Sequence, residues 1–341
     1  MWLFPLRSAG QRAIIILKAG GAVAKEKQPE KAQKSHNIHD KGYKALLRNK
    51  KVFLELIKTF ATQDWISDLD EEHLIAVEKS FIPKDFRERK ADILYRLQKN
   101  DLDIYFYILL ELQSTVDFSM PIRLMSYISE IWRMELKNTP KDKIELKDFR
   151  LSAIVPMVLY NGESSWTAKS DFKQAQAGYE HFGEYLVNFK YVLFDVHRYN
   201  DADLLKEANV IASVFFMDKR ISLSEAVARL KTLAKAVLKR FSPDELIWFM
   251  EWMDHVFKPR LPIAIQEKIS RMLLKVSPQE VENMVSNLGL AVEEFERDTE
   301  IRVKLEVARK LLLRKVDVNT IRDSTGLTPG EIEELNKEIQ H

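Results

Sequence analysis

The amino-acid sequence predicts an α+β protein, with a sheet-bearing N-terminal region followed by an all-helical C-terminal region. Three observations predict it. Short apolar runs of strand character are confined to the first two hundred residues, and after Asp201 apolar residues recur only at helical spacing. Several of the later segments also open on capping boxes, Ser242-Pro-Asp-Glu245, Ser277-Pro-Gln-Glu280 and Thr328-Pro-Gly-Glu331, where a hydroxyl and a carboxylate three residues on satisfy the first amides of a helix.

Taken in order, residues 1–35 read as a disordered leader. Its apolar run 13–17 is far too short to span a bilayer, and the Lys/Gln/Glu-rich stretch 25–34 has almost nothing to bury. From 39 to 60, Leu46, Leu47, Phe53, Leu54, Ile57 and Phe60 recur at helical spacing, with a break near Asn49. Strand runs follow at 74–81, 91–97 and 104–112, the last two joined by the turn pair Asn100-Asp101 into an expected hairpin. Residues 120–136 read as a helix opened by Pro121, then apolar runs 151–159 and 191–196 read as two further strands. The sheet region is thereby expected over 36–200 and the helical region over 201–341. Helices are expected at 204–218, 222–240, 243–257, 263–276, 278–287 and 293–315, with a tail at 317–339 of two short helices around Gly326.

Composition narrows the function classes. With 46% apolar and 30% charged residues the chain is an ordinary soluble protein rather than a disordered or membrane one. The 53 basic against 51 acidic residues leave a net charge of +2, so nucleic-acid binding would have to come from local patches. There is no cysteine, which excludes disulfides, thiolate zinc sites and cysteine nucleophiles and fits a cytoplasmic location.

Two acids stand in apolar strands: Asp92 in Lys90-Ala-Asp-Ile-Leu-Tyr95 and Glu111 in Leu110-Glu-Leu-Gln-Ser114. A carboxylate is costly to desolvate, so a buried strand acid normally has a partner or a metal. A hairpin turn near 100–103 pairs Asp92 with residues around 109–112, beside Glu111. Close carboxylates repel unless a cation lies between them, and hard oxygen ligands suit Mg²⁺ or Mn²⁺. Gln113, two residues beyond Glu111, leaves the same strand face and can orient a water or a phosphate oxygen. Strand acids at this separation also arise by chance, and one could be a charge guarding a sheet edge.

These residues carry a resemblance. His39-Asp40, the strand ending Glu111-Leu-Gln-Ser114, Met120-Pro-Ile-Arg123 with Tyr127, and Pro156-Met-Val-Leu-Tyr-Asn-Gly162 with Trp166 together resemble the recombination-promoting nuclease (Rpn) family, also described as YhgA-like transposases. The similarity runs in register from about 39 to 196, and the segment 317–339 is similar to tails in that family. The resemblance implies a PD-(D/E)xK restriction-endonuclease-like core, a mixed sheet flanked by helices, and Mg²⁺-dependent DNA cleavage linked to recombination. Asp92 and Glu111 would then be metal ligands and Gln113 would stand where the wider superfamily has Lys.

Further positions admit two readings each. Asp40 serves as a helix N-cap or, with His39, as an accessory group of the site. Arg123 and Tyr127 lie one turn apart after the candidate strand, so Arg123 either holds a phosphate or pairs with a nearby acid. Lys84, Arg87, Arg89 and Lys90 suit a DNA backbone or a solvated loop. The tail has the short helix, glycine, short helix pattern of a helix-turn-helix, but Glu331, Glu333, Glu334 and Glu338 make its second helix acidic and point to packing or protein contact. Residues 293–315, with Val303, Leu305, Val307, Leu311, Leu312 and Leu313, read as core or as the seam of a homo-oligomer. The expected activity is that of a DNA endonuclease with no membrane association. The rival is a catalytically weak or inactive DNA-binding or assembly protein.

Overall fold

The computed structural model describes residues 41–62, 66, 69–77, 92–99, 102–111, 116–219, 221–273 and 280–340. The leader, the hairpin turn at 100–101 and the capping box opening at Ser277 lie outside these residues. Helix α1 (41–47) breaks at Asn49, whose side chain accepts from the amides of Lys51 (2.9 Å) and Val52 (3.3 Å) and caps α2 (Lys50–Phe60).

Five strands form one mixed sheet in chain order: β1 (Leu74–Ala76), β2 (Asp92–Lys99), β3 (Leu102–Glu111), β4 (Ala153–Tyr160) and β5 (Val192–Asp195). The β1–β2 and β2–β3 pairs are antiparallel, and β3, β4 and β5 are parallel. A parallel neighbour requires a crossover, and α3 (Met120–Asn138) supplies it, starting at the carboxyl edge of the sheet and returning to its amino edge. There Trp132 donates to the Ser152 carbonyl (2.9 Å) and the Glu135 carboxylate accepts from the Ser152 amide (3.1 Å), tying the end of α3 to the start of β4.

Strand alternation sends successive residues to opposite faces. Leu94, Tyr105, Val158 and Tyr191 form one face and pack against Met120, Leu124, Tyr127 and Ile131 of α3. Ile93, Tyr95, Leu97, Phe106, Ile108, Met157, Leu159 and Phe194 form the other and join a larger core. That core continues through α2, α5 (Val210–Met217), α6 (Leu223–Ala236), α7 (Pro243–Trp252) and the first part of α9 (Val281–Leu313). Every residue of α5 is buried, as its unbroken apolar sequence requires. The helical region therefore shares one core with this face of the sheet. Burying a Phe or Leu of this kind contributes about 1.5–3 kcal/mol.

Two helical expectations need correction. The single helix expected over 204–218 is two, α4 (Asp201–Glu207) and α5, because Ala208 turns left-handed (φ 47°) and Asn209 caps α5 by accepting from the Ala212 amide (2.9 Å). Conversely, the two helices expected at 278–287 and 293–315 are one, α9, of 33 residues. Gly289 lowers helix propensity there, but the buried Leu288, Ala291 and Val292 around it outweigh that cost of about 1 kcal/mol. Of the later helices, α8 (Ile263–Leu273), α10 (Val318–Thr325) and α11 (Pro329–Gln340) follow the sequence pattern. Gly326 ends α10 at φ 69°, and Thr328 and Glu331 form the capping box of α11. Ala308, Ile321, Leu327, Ile332 and Leu335 give this tail its own small core. Among the described residues no helix is long and apolar enough to cross a membrane.

A buried polar hub joins the sheet edge to the helices. Asp218, 1% exposed at the end of α5, accepts from Tyr43 Oη (2.6 Å), from the Asn161 amide and from Arg260. Asn161 in turn faces His197 Nε2 through its carbonyl oxygen (2.7 Å). Burial, then Asp218, holds the Tyr43 phenol protonated well beyond its ordinary range, and burial lowers His197, so the neutral imidazole donates to Asn161. Replacing Asp218 with alanine removes the acceptor shared by three donors at once. We expect a loss of about 3 kcal/mol in urea unfolding of the Asp218→Ala variant, and a change below about 0.5 kcal/mol would contradict the hub.

Glu55 of α2 accepts from the Val210 amide at 3.1 Å and so caps α5 from outside. Burial first, and then the nearby Glu245, push its carboxyl from an ordinary 4.5 up to about 7. A raised carboxyl pKa stabilises the fold fully below the unfolded value, and that contribution is lost as pH rises through about 7. Glutamine keeps the acceptor without the charge. Glu55→Gln should therefore leave stability near pH 4.5 little changed and raise it at pH 8, by on the order of 1–2 kcal/mol after allowing for partial exposure. Thermal unfolding of both proteins across this range checks it; parallel profiles would refute it.

Candidate active site

The hairpin register brings the two strand acids to one edge. Asp92 opens β2 and lies opposite Leu109 of β3, while Glu111 ends β3 two positions further on. By alternation, positions 92, 109 and 111 share a face with Leu94 and Tyr105, the face that α3 covers. Diagonal neighbours of this kind stand roughly 7–8 Å apart. Asp92 and Glu111 are described as strand positions, and Gln113, Lys84, Arg87, Arg89, Lys90, His39 and Asp40 lie outside the described residues.

The neighbouring strands extend the edge. Glu111 is level with Tyr160 of β4, and Tyr160 with Asp195 of β5. Tyr160 is fully buried and meets Trp166 edge-on at 4.8 Å between ring centroids, and Trp166 Nε1 donates to Tyr191 Oη (2.9 Å). Asp195 Oδ2 accepts weakly from the Trp166 amide (3.4 Å) and lies 3.7 Å from Arg198, while its Oδ1 is buried with no hydrogen-bond partner among the described residues. Burial raises the Asp195 carboxyl above its ordinary value, against the opposing pull of Trp166 and Arg198. Sequence reasoning missed Asp195, although its signal is the one that marked Glu111: an acid closing an apolar strand, Tyr191-Val-Leu-Phe-Asp195.

The first turn of α3 forms the rim of the same edge. Arg123 Nη1 meets Asp117 Oδ2 at 2.5 Å, so the acid-pairing alternative is the one seen for Arg123. Burial works against ionising Asp117, but hydrogen bonds from Ser119 and Arg123 outweigh it and hold the carboxyl below its usual range. Tyr127, one helical turn after Arg123, is buried in the core between α3 and the sheet. Among the described residues no group of three His, Cys, Asp or Glu could hold a metal. The donor types at 92 and 111, two carboxylates on adjacent strands of one face, fit a hard divalent cation.

A family model described as "Putative transposase, YhgA-like" matches residues 37–246, more than half of the chain. Among curated proteins, the recombination-promoting nuclease RpnD of Escherichia coli O157:H7 is 24% identical over 127 residues, 37% of this chain and 46% of that protein. The inactive recombination-promoting nuclease-like protein RpnE of Escherichia coli (strain K12) is 23% identical over 172 residues, 48% of this chain and 52% of that protein. The chain thus spans about half the length of the curated relatives it matches. No solved structure matches. The match crosses the whole sheet, α3, the helices α4 to α6 and the edge that carries Asp92, Glu111 and Tyr160, and with it the chain belongs to the YhgA-like transposase family.

Proposed function

We propose that the protein is a Mg²⁺-dependent DNA endonuclease of the PD-(D/E)xK type, acting in DNA recombination or mobile-element activity. The observation that carries this reading is the β2–β3 register, which sets the positions of Asp92 and Glu111 diagonally on one sheet face at the carboxyl edge. The relative named a recombination-promoting nuclease supports the same chemistry. When bound, Mg²⁺ or Mn²⁺ acidifies water and neutralises charge developing on a phosphate. Asp92 and Glu111 would hold the cation through oxygen. Gln113 orients the attacking water by hydrogen bonding, and because an amide carries no charge it cannot stabilise the phosphate as a lysine would.

Around this pair, Arg89 and Lys90 precede Asp92 and would meet the DNA backbone, with His39 and Asp40 as accessory groups. Arg123 would meet a phosphate in competition with its pair to Asp117 or through guanidinium donors outside that pair. Tyr127 acts from below by fixing α3 over the sheet. DNA is the partner, the protein acts in the cytoplasm, and the helical region offers the surface for self-association. A second reading, a DNA-binding or assembly protein without cleavage, is favoured by one observation: a relative of similar identity is named inactive.

The test is plasmid cleavage by the full chain with Mg²⁺ or Mn²⁺, beside an EDTA control. Asp92→Ala and Glu111→Ala should each lower the cleavage rate by more than about a hundredfold with thermal unfolding unchanged. Full activity in Asp92→Ala would sink the assignment. Retardation of DNA on a gel without cutting in either metal would select the second reading.

A further inference from the structure

The rim of the candidate site carries an apolar projection that the core does not need. Phe118 is 71% exposed and Ile122, four residues on, is 56% exposed. Both stand where α3 begins, at the carboxyl edge, and Phe118 follows Glu111 by seven residues. Their exposure does not come from a loose loop. Asp117 Oδ1 accepts from the Ser119 amide (2.8 Å) and hydroxyl (2.5 Å), and Asp117 Oδ2 from Arg123 (2.5 Å). The Asp117 carbonyl accepts from the Met120 amide (3.1 Å), and Met120 and Leu124 are fully buried against the sheet. The turn is clasped from both sides with its ring pointing outward.

We propose that Phe118, backed by Ile122, is a wedge that stacks on a nucleobase of DNA held at this edge. The inference rests on the nuclease reading, in which DNA presents a phosphate at the sheet edge where β3 ends, and α3 starts nine residues after that strand end. Charge argues for stacking over phosphate binding at this point of the rim. Arg123 is balanced by Asp117 in the same turn, so the exposed ring face is what the turn offers. An aromatic face stacks on any base, and an aliphatic neighbour that enters a base step helps to unstack it. A wedge of this kind opens the duplex beside the scissile phosphate and selects deformable steps without reading base edges.

The experiment is fluorescence titration of a duplex containing 2-aminopurine with the full-length protein, Ca²⁺ replacing Mg²⁺ to suppress turnover. Wild type should raise the 2-aminopurine emission as the base leaves its stack. Phe118→Ala should abolish that rise and weaken binding by about tenfold or more, with the slope of log affinity against log salt unchanged, since no phosphate contact is removed. Phe118→Trp should retain both signals. Equal emission and affinity for wild type and Phe118→Ala would overturn the wedge. A change of oligomeric mass in Phe118→Ala by light scattering, with DNA binding unaltered, would overturn it in favour of a contact between copies. Loss of the wedge signal on Phe118→Ala in a protein that never cuts DNA in Mg²⁺ would uphold the wedge while ending the nuclease reading.

Discussion

Tyr95 of β2 faces Phe106 of β3, and both are fully buried. Phe53 of α2 lies over this pair, 4.2 Å from the Tyr95 ring and 6.1 Å from that of Phe106. The Tyr95 hydroxyl reaches through to the carbonyls of Leu47 (3.0 Å) and Arg48 (2.6 Å), where α1 ends. This cluster locks the hairpin register. Because the side-chain period of a strand is two, a slip of β2 by one residue would carry Tyr95 to the face under α3 and move the Asp92 position to the opposite side from Glu111. The position of Asp92 relative to Glu111, and through it to Tyr160 and Asp195, therefore depends on aromatic packing on the other face of the sheet.

Much of this was legible in the sequence because the hairpin is local. The strand runs, their alternation and the Asn100-Asp101 turn pair fix the partner of Asp92 to within a few residues, and the register observed, Asp92 opposite Leu109, falls within that range. The break at Asn49 and the capping boxes of α7 and α11 were readable for the same reason, since a cap and its amides lie within four residues of each other. What could not be read is non-local. Nothing near Asp218 in sequence announces that it accepts from Tyr43, Asn161 and Arg260, which approach from three other segments. Nor does periodicity alone reveal that α2, α5, α6, α7 and α9 share one core with the sheet face containing Phe106, because a helix pattern states that a face is buried and not what buries it. The single helix α9 was read as two for a related reason: periodicity weighs each segment by itself, whereas the packed neighbours decide where the helix continues.

The two faces of the sheet carry different duties. One joins a core that runs from α1 to α9, so its rigidity is that of most of the molecule. The other is covered by the single helix α3 and a smaller set of side chains. Functional chemistry needs access as well as position, and access exists where a cover is thin. The carboxyl edge under the start of α3 meets both conditions. Strand ends are held from beneath by the large core, while the helix above starts rather than continues, leaving Phe118 and Ile122 outward and Asp117 with Arg123 as the local lock.

The polar hub extends this division. Asn161 follows Tyr160 directly, and its side chain bridges His197, just beyond β5, to Asp218, at the end of the most buried helix. A carboxylate so enclosed would be destabilising alone. Here each oxygen has donors, and Arg260 balances the charge. In exchange for that desolvation the arrangement fixes the turn after β4 to the helical cover at a single point, which an apolar contact of the same size could not do with comparable directionality. Tyr160 is level with Glu111 and lies one residue from this anchor. The end of the candidate catalytic strand is thus held laterally by β4, β4 is held by Asn161, and Asn161 is held by the helices. A side chain in the helical half can in this way govern the geometry of an edge that it does not touch.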